Sequence, residues 1–273
     1  MALKTGQNFG EYSIIKRIGV GGMAEVYLAK SSRAGDDSQP VVLRRILPAL
    51  SDNPGFVKMF LQEARIINTL EHPHIIKLLD FGRVDDDYYM VTEFIWGVTI
   101  QEIIDRCKRD DIPFPYLYAA HIIGDVADGL HHAHGLDVED KKLSIVHLDI
   151  NPKNIMVDFE GNGRLLDFGI AHATYEDNHK AFNELMGTVA YMSPEQCQEQ
   201  SVDARSDIFS LGIVLYELTT HNSLFGKHAS EYMMLKAITE GMVPPPSNVV
   251  KKFPQSLEDA IFLALKVSPR ERF

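Results

Sequence analysis

His147-Leu148-Asp149-Ile150-Asn151-Pro152-Lys153-Asn154, then Asp167-Phe168-Gly169, then Ser193-Pro194-Glu195, are the stretches that decide this chain. They lie in a segment, 147–200, dense in Asp, Asn, Gly and Pro, which reads as loop. Loops held between rigid elements are where chemistry concentrates. The flanks are helical. Upstream, Ala119, Ile122, Ile123, Val126 and Leu130 share one face of a helix. Downstream, 208–218 is apolar on nearly every side and predicts a buried helix. Asp207, at the start of that helix, is placed to anchor the loop's backbone rather than to act chemically.

The first hundred residues read mostly as strands. Tyr12 to Ile18 alternates and Val26-Tyr27-Leu28-Ala29 returns, which predicts a hairpin around the glycines at 19–22. A polar loop at 31–40 leads to a third strand, Val41-Val42-Leu43. Phe56, Phe60, Ala64 and Ile67 predict an amphipathic helix over 54–70, stopped by His72-Pro73. Two further strands, 75–84 and 88–95, are joined by Asp85-Asp86-Asp87. A short connector near Trp96-Gly97 then separates a β-rich part from a helical part.

Composition narrows the function classes. Among 273 residues, 27 Lys and Arg against 38 Asp and Glu give a net charge of −11, so no nucleic-acid footprint is expected. A positive pocket can still exist on an acidic protein. Two distant cysteines, Cys107 and Cys197, speak against a disulfide-stapled secreted domain and for a reducing compartment. The first residues lack the apolar core of a signal peptide, and no run approaches the ~18 apolar residues of a membrane span. The expectation is a soluble cytoplasmic protein.

In their order, these motifs resemble the eukaryotic-type protein kinase family, in its bacterial Ser/Thr branch. The resemblance covers nearly the whole chain. It implies an α+β, bilobal protein-kinase-like fold: a small β-rich lobe over 1–96 and a larger helical lobe over 97–273. Together they form one kinase domain, and the family's last helix would lie beyond Phe273. The resemblance also implies ATP and Mg²⁺ as cofactors and a protein as substrate or docking partner; oligomeric state stays open. Asp149 falls where the family accepts the substrate hydroxyl's proton. Asn154 and Asp167 match its Mg²⁺ ligands, and hard oxygen donors suit that ion. Gly19 and Gly21 belong to the glycine-rich turn, whose backbone N–H groups approach phosphate oxygens. Glu63 matches the family's helix glutamate and should pair with the basic residue of the third strand. Glu93 and Ile95 would offer backbone bonds to adenine, Thr92 would be the gatekeeper, and Val26 and Met156 would cover the two faces of the base. Glu195 and Arg272 match a structural ion pair.

Four positions depart from the family pattern. Arg44 replaces the third-strand lysine, and a planar guanidinium does not substitute one-for-one for an ammonium; it should reposition either Glu63 or the phosphates. Val42 replaces an alanine against adenine. Leu148 replaces an arginine that reads a phosphorylated activation loop, which fits a segment without Ser or Thr between Tyr175 and Gly187. Asn151 replaces a lysine that contacts the γ-phosphate, a role Lys153 could take over. The resulting reading is an ATP-dependent protein Ser/Thr kinase, weakened by Arg44. Its alternative is a pseudokinase that senses nucleotide or docks a partner.

Other features carry blander readings. His131, His132 and His134 read as surface or packing residues, the 85–87 acidic run as a solvated turn, and 137–144 as an exposed hairpin or loop. Pro244-Pro245-Pro246 reads as a kink or turn, and neither cysteine has a nucleophile's partners.

Overall fold

The strand pattern of the first hundred residues closes into one antiparallel sheet. In a computed structural model the described residues are 2–32, 39–138, 141–142, 145–168, 189–226 and 230–273. The chain divides into two compact units, Met1–His72 with Ile76–Trp96, and Pro73–Ile75 with Gly97–Phe273. The first unit contains β1 (Asn8–Phe9), β2 (Tyr12–Val20), β3 (Ala24–Ser31), β4 (Pro40–Ile46), α1 (Pro54–Thr69), β5 (Leu78–Val84) and β6 (Asp87–Glu93). Its strands lie in the order β1-β2-β3-β4-β6-β5.

Side chains alternate across this sheet, so each face has its own composition. One face gathers Tyr12, Ile14, Tyr27, Ala29, Val41, Leu43 and Val91 into a core with Phe9, against which Leu3 packs. The Leu3 N–H donates to the Tyr27 hydroxyl at 2.9 Å. Charge is buried here too: Arg45 lies 2.5 Å from Asp87 and 3.6 Å from Glu25, and Tyr27 also donates to Glu25. Helix α1 starts on Asn53, whose side chain accepts the Gly55 N–H, with Pro54 at its first position. The fifth strand starts at Leu78 rather than Ile75, because Ile75 instead bridges to Leu165 and belongs with the second unit.

That second unit contains β7 (Gly97–Thr99), α2 (Ile100–Asp110), α3 (Tyr116–His134), β8 (Asp137–Val138), β9 (Lys141–Lys142), β10 (Ile155–Asp158) and β11 (Gly163–Leu165). It continues through α4 (Pro194–Cys197), α5 (Ala204–Thr220), α6 (Glu231–Thr239), α7 (Pro246–Val249) and α8 (Gln255–Ala264). Strands β8 and β9 pair as the expected hairpin, and the proline run opens into the short α7. Strand β10 pairs with β7 and β11, and a Cβ on Gly97 would meet the Val157 carbonyl oxygen at 2.2 Å, so only glycine allows that approach. Helix α5 is buried at nearly every position from Ser206 to Thr220. Its polar members are satisfied: Glu217 accepts from the Tyr191 hydroxyl at 2.7 Å and the Leu224 N–H at 2.9 Å.

Arg272 grips Glu195 in two parallel bonds of 2.6 and 2.8 Å, and Ser206 adds a third at 2.7 Å. Burial pushes the Glu195 carboxyl up, but the bonds from Arg272 and Ser206 outweigh it and hold the group below its ordinary range. Arg272→Met should therefore strand a buried carboxylate and cost roughly 3–5 kcal/mol. The sign of the pH dependence follows from the lowered value: the pair's contribution is present above the unfolded value of 4.5 and drains away as pH falls through the folded one. Denaturant unfolding of both proteins across the acid range checks it, with the gap widest at neutral pH and narrowing in acid.

Candidate active site

In the first unit, register places several candidate residues on one sheet face. Val26 sits opposite Gly19 on β2 and opposite Arg44 on β4, while Val42 sits opposite Leu28 and Thr92. Residues paired across antiparallel strands share a face, so Val26, Val42, Arg44 and Thr92 look the same way, opposite the Tyr27 core. Thr92 is buried; Val26 and Val42 are half-buried. From this face Arg44 reaches α1, where its Nη1 donates to Glu63 Oε1 at 2.9 Å. The guanidinium and the α1 glutamate thus form an ion pair. Glu93 ends β6, with its carboxylate accepting the Lys77 N–H at 2.8 Å, and Ile95 is buried just beyond it.

The glycine-rich hairpin is closed by a Gly21 N–H to Ala24 carbonyl bond of 2.8 Å. Neither Gly19 nor Gly21 has positive φ, and a Cβ at either would meet only ordinary contacts, at 3.9 and 3.7 Å. The turn itself does not demand glycine there. A ligand approaching the backbone would.

The second unit carries the loop 147–154. Asp207, fully buried, accepts the His147 N–H with Oδ2 at 2.8 Å and the Leu148 N–H with Oδ1 at 2.7 Å. His134 Nε2 lies 2.8 Å from the same Oδ2, which gives that histidine the packing role expected for the cluster. Leu148 is held at φ +62°, a left-handed conformation costing a bulky residue about 1–2 kcal/mol. Its carbonyl accepts from Gln196 Nε2 at 3.1 Å, so the loop is pinned from both α5 and α4.

Within the loop, both oxygens of Asp149 are occupied by amides. Asn151 Nδ2 donates to Oδ1 at 3.0 Å and Asn154 Nδ2 to Oδ2 at 2.8 Å; both also donate to the Asp149 carbonyl. Burial pushes the Asp149 carboxyl above the ordinary aspartate range, with the Asp167 charge adding to it. His147 and the two amides pull it down without cancelling that. His147 links two loops: its Nδ1 accepts the Asp149 N–H at 3.2 Å, so Nε2 carries the hydrogen toward the Leu166 carbonyl at 3.0 Å. Leu166 N–H in turn donates to the Asn154 carbonyl at 2.8 Å, and Phe168 packs on the His147 ring. Asp167, at φ +33°, follows Leu166 and is linked through it to the Asp149–Asn154 loop. Lys153 is exposed on that loop, and Met156 is half-buried on β10 opposite Thr99.

This donor set suits a hard cation. Asn154 spends its NH₂ on Asp149, which leaves its side-chain carbonyl oxygen as an acceptor. Among the described residues no group of three or more His, Cys, Asp or Glu could hold a metal. An ion here would need oxygens from a substrate and water, which is how Mg²⁺ is usually held.

Sequence reasoning had no signal for Gln196 as a tether. Gly169, Gly187 and the stretch 170–188, including Tyr175, lie outside the described residues, and with them the reading of the activation segment. Cys107 is buried and Cys197 partly so; burial pushes both thiols up, that of Cys197 to about 12, so neither is an activated nucleophile. No helix of the described residues is long and apolar enough to cross a membrane.

Comparison with known proteins matches residues 12–273 to the protein kinase domain. The tyrosine-protein kinase MasK of Myxococcus xanthus is 35% identical over 270 residues, covering 98% of this chain and 41% of that protein. The serine/threonine-protein kinase PrkC of Bacillus subtilis is 34% identical over 264 residues, covering 97% and 38%. This chain thus spans about two fifths of the length of these curated relatives. Among solved structures, the PknI kinase domain of Mycobacterium tuberculosis matches with a TM-score of 0.72 at 23% identity, over 100% of this chain and 94% of that one.

Asp207→Asn should unseat the loop. An amide offers one acceptor where the carboxylate has two, so one of the two backbone N–H groups loses its partner while Leu148 stays strained. A loss of about 1–3 kcal/mol is expected, together with faster amide exchange at Leu148; unchanged exchange there would show that the loop is held by other contacts.

Proposed function

We propose that this chain, which belongs to the protein kinase family, transfers the γ-phosphoryl group of ATP to a serine or threonine hydroxyl of another protein. The observation that carries this is the hydrogen-bonded unit in which Asp149, Asn154 and the Leu166–Asp167 turn are built into each other. Phosphoryl transfer asks a protein for alignment and charge neutralisation more than for covalent help. Asp149 accepts the proton of the attacking hydroxyl, and burial, by raising its basicity, suits it to that task. The substrate oxygen bonds to phosphorus as the bond to the β-phosphate oxygen breaks, and ADP leaves. Asn154 and Asp167 would hold Mg²⁺, which would supply positive charge to offset that of the transferred phosphate. Lys153 serves the γ-phosphate in place of a lysine at 151. Gly19 and Gly21 give their backbone to the phosphates; Val26, Val42, Thr92, Glu93, Ile95 and Met156 take the adenine. Arg44 retains Glu63, and one guanidinium can serve a carboxylate and a phosphate together. Both units together make the single catalytic domain, which we assign to the cytoplasm, where ATP is.

One pair of residues supports a second reading. Arg44 and Val42 favour a nucleotide-sensing or docking scaffold with little turnover. The relatives' names divide between tyrosine and serine/threonine kinases, so the acceptor hydroxyl needs its own test.

Transfer of labelled phosphate from ATP to a basic protein, followed by phosphoamino-acid analysis, decides both. Asp149→Asn should lower transfer by roughly 10²–10⁴-fold, with phosphoserine or phosphothreonine as product in the wild type. Equal signal from the two proteins would end the enzymatic reading. Arg44→Lys should raise transfer. ATP with Mg²⁺ should raise the unfolding temperature by mass action, and such a rise without any transfer would favour the sensor.

A further inference from the structure

Asn151 stands where the family pattern has a lysine, yet its side chain is nearly closed to solvent, at 6% exposure. Burying an amide without partners is costly. This one is satisfied on both ends. Its Nδ2 donates to the Asp149 carbonyl at 3.1 Å and to Asp149 Oδ1 at 3.0 Å, and its Oδ1 accepts the Lys153 N–H at 3.0 Å. One planar group thus spans the base candidate and the backbone of the loop's lysine. Asn154 holds the other Asp149 oxygen, so the carboxylate is fixed in rotation by two amides rather than one. Pro152, between them, is buried and its carbonyl accepts the Gln101 N–H at 2.9 Å, which seats the segment on α2.

We propose that Asn151 is a positioning residue that locks the Asp149 carboxylate and the Lys153 backbone into one geometry, so that the loop's positive charge has moved two residues along rather than been lost. The proposal rests on the phosphotransfer reading. Its physical content is that lysine cannot do what Asn151 does. An ammonium has no acceptor for the Lys153 N–H, and a long charged side chain does not fit a site closed to water. Restoring the family's residue should therefore harm this chain, whereas a loop that had merely lost its lysine would gain from it.

Asn151→Lys, Asn151→Leu, Asn151→Ser and Lys153→Ala are compared with wild type in steady-state phosphate transfer. Asn151→Lys and Asn151→Leu are expected to lower kcat by roughly 10–100-fold, the scale of a small misplacement at a reacting centre, with KM for ATP held within about twofold. Asn151→Ser, whose hydroxyl can still accept the Lys153 N–H and donate to Asp149, should recover part of kcat. Lys153→Ala should lower transfer as well. A gain in transfer from Asn151→Lys, or no loss from Lys153→Ala, would overturn the proposal. So would a purely structural pattern, in which all three Asn151 variants lose folded protein but keep kcat per folded molecule. A second measurement does not need activity: a double-mutant cycle between Asn151→Leu and Asp149→Ala in denaturant unfolding. Non-additive midpoints support the lock, and strict additivity overturns it. Were the wild type to transfer no phosphate at all, the phosphotransfer reading would fall by itself, and this cycle would still report on the lock.

Discussion

A carboxylate sealed from water at the start of α5 holds two consecutive backbone N–H groups of the loop that carries Asp149. The remaining geometry of the second unit depends on that grip. It keeps Leu148 in a left-handed conformation that a bulky side chain would otherwise leave. It thereby turns His147 inward, where the ring bridges to Leu166 and packs on Phe168. A carboxyl group closed to solvent needs hydrogen-bond partners, and Asp207 has three, the two backbone N–H groups and His134. The helix that supplies it is the most thoroughly buried element of the fold, so the strain is borne by a rigid frame.

From that anchor outward, the loop is organised by amides rather than by charge. Asn151 and Asn154 fix the carboxylate they flank, and Asn151 returns a bond to the backbone two residues on. Such networks specify one arrangement when every member is satisfied. The first unit shows a comparable economy. Arg44 supplies a positive charge on the face it shares with Val26, Val42 and Thr92, and Glu63 of α1 orients it.

Much of this was legible in the sequence. The alternation of Tyr12 to Ile18, the apolar run Val41-Val42-Leu43 and the helical spacing of Phe56, Phe60, Ala64 and Ile67 are strong local signals, and the elements form close to where they predict. Asp207 was legible as an anchor from its place at the mouth of a buried helix, and Glu63 as the partner of Arg44. Helix α2 carries two signals, the helical spacing of Ile100, Ile103, Ile104 and Cys107 and the Thr99–Glu102 capping box at its start. The start of β5 was misjudged because Ile75 is as apolar as a strand residue, and only the pairing partner Leu165 decides where it goes. The lock made by Asn151 was invisible because an asparagine directly before a proline reads first as a turn former. Whether it bonds to solvent or to its neighbours is set by burial, which sequence does not display.

The central claim is the proposal that the 149–154 loop and Asp167 form a phosphotransfer centre. A crystal structure with a non-hydrolysable ATP analogue and Mn²⁺, read by the metal's anomalous signal, tests it most directly. The account predicts a peak at coordination distance from both Asn154 Oδ1 and the Asp167 carboxylate, with Arg44 still bonded to Glu63. A metal bound elsewhere, or Arg44 swung away from Glu63 with the nucleotide present, would contradict it.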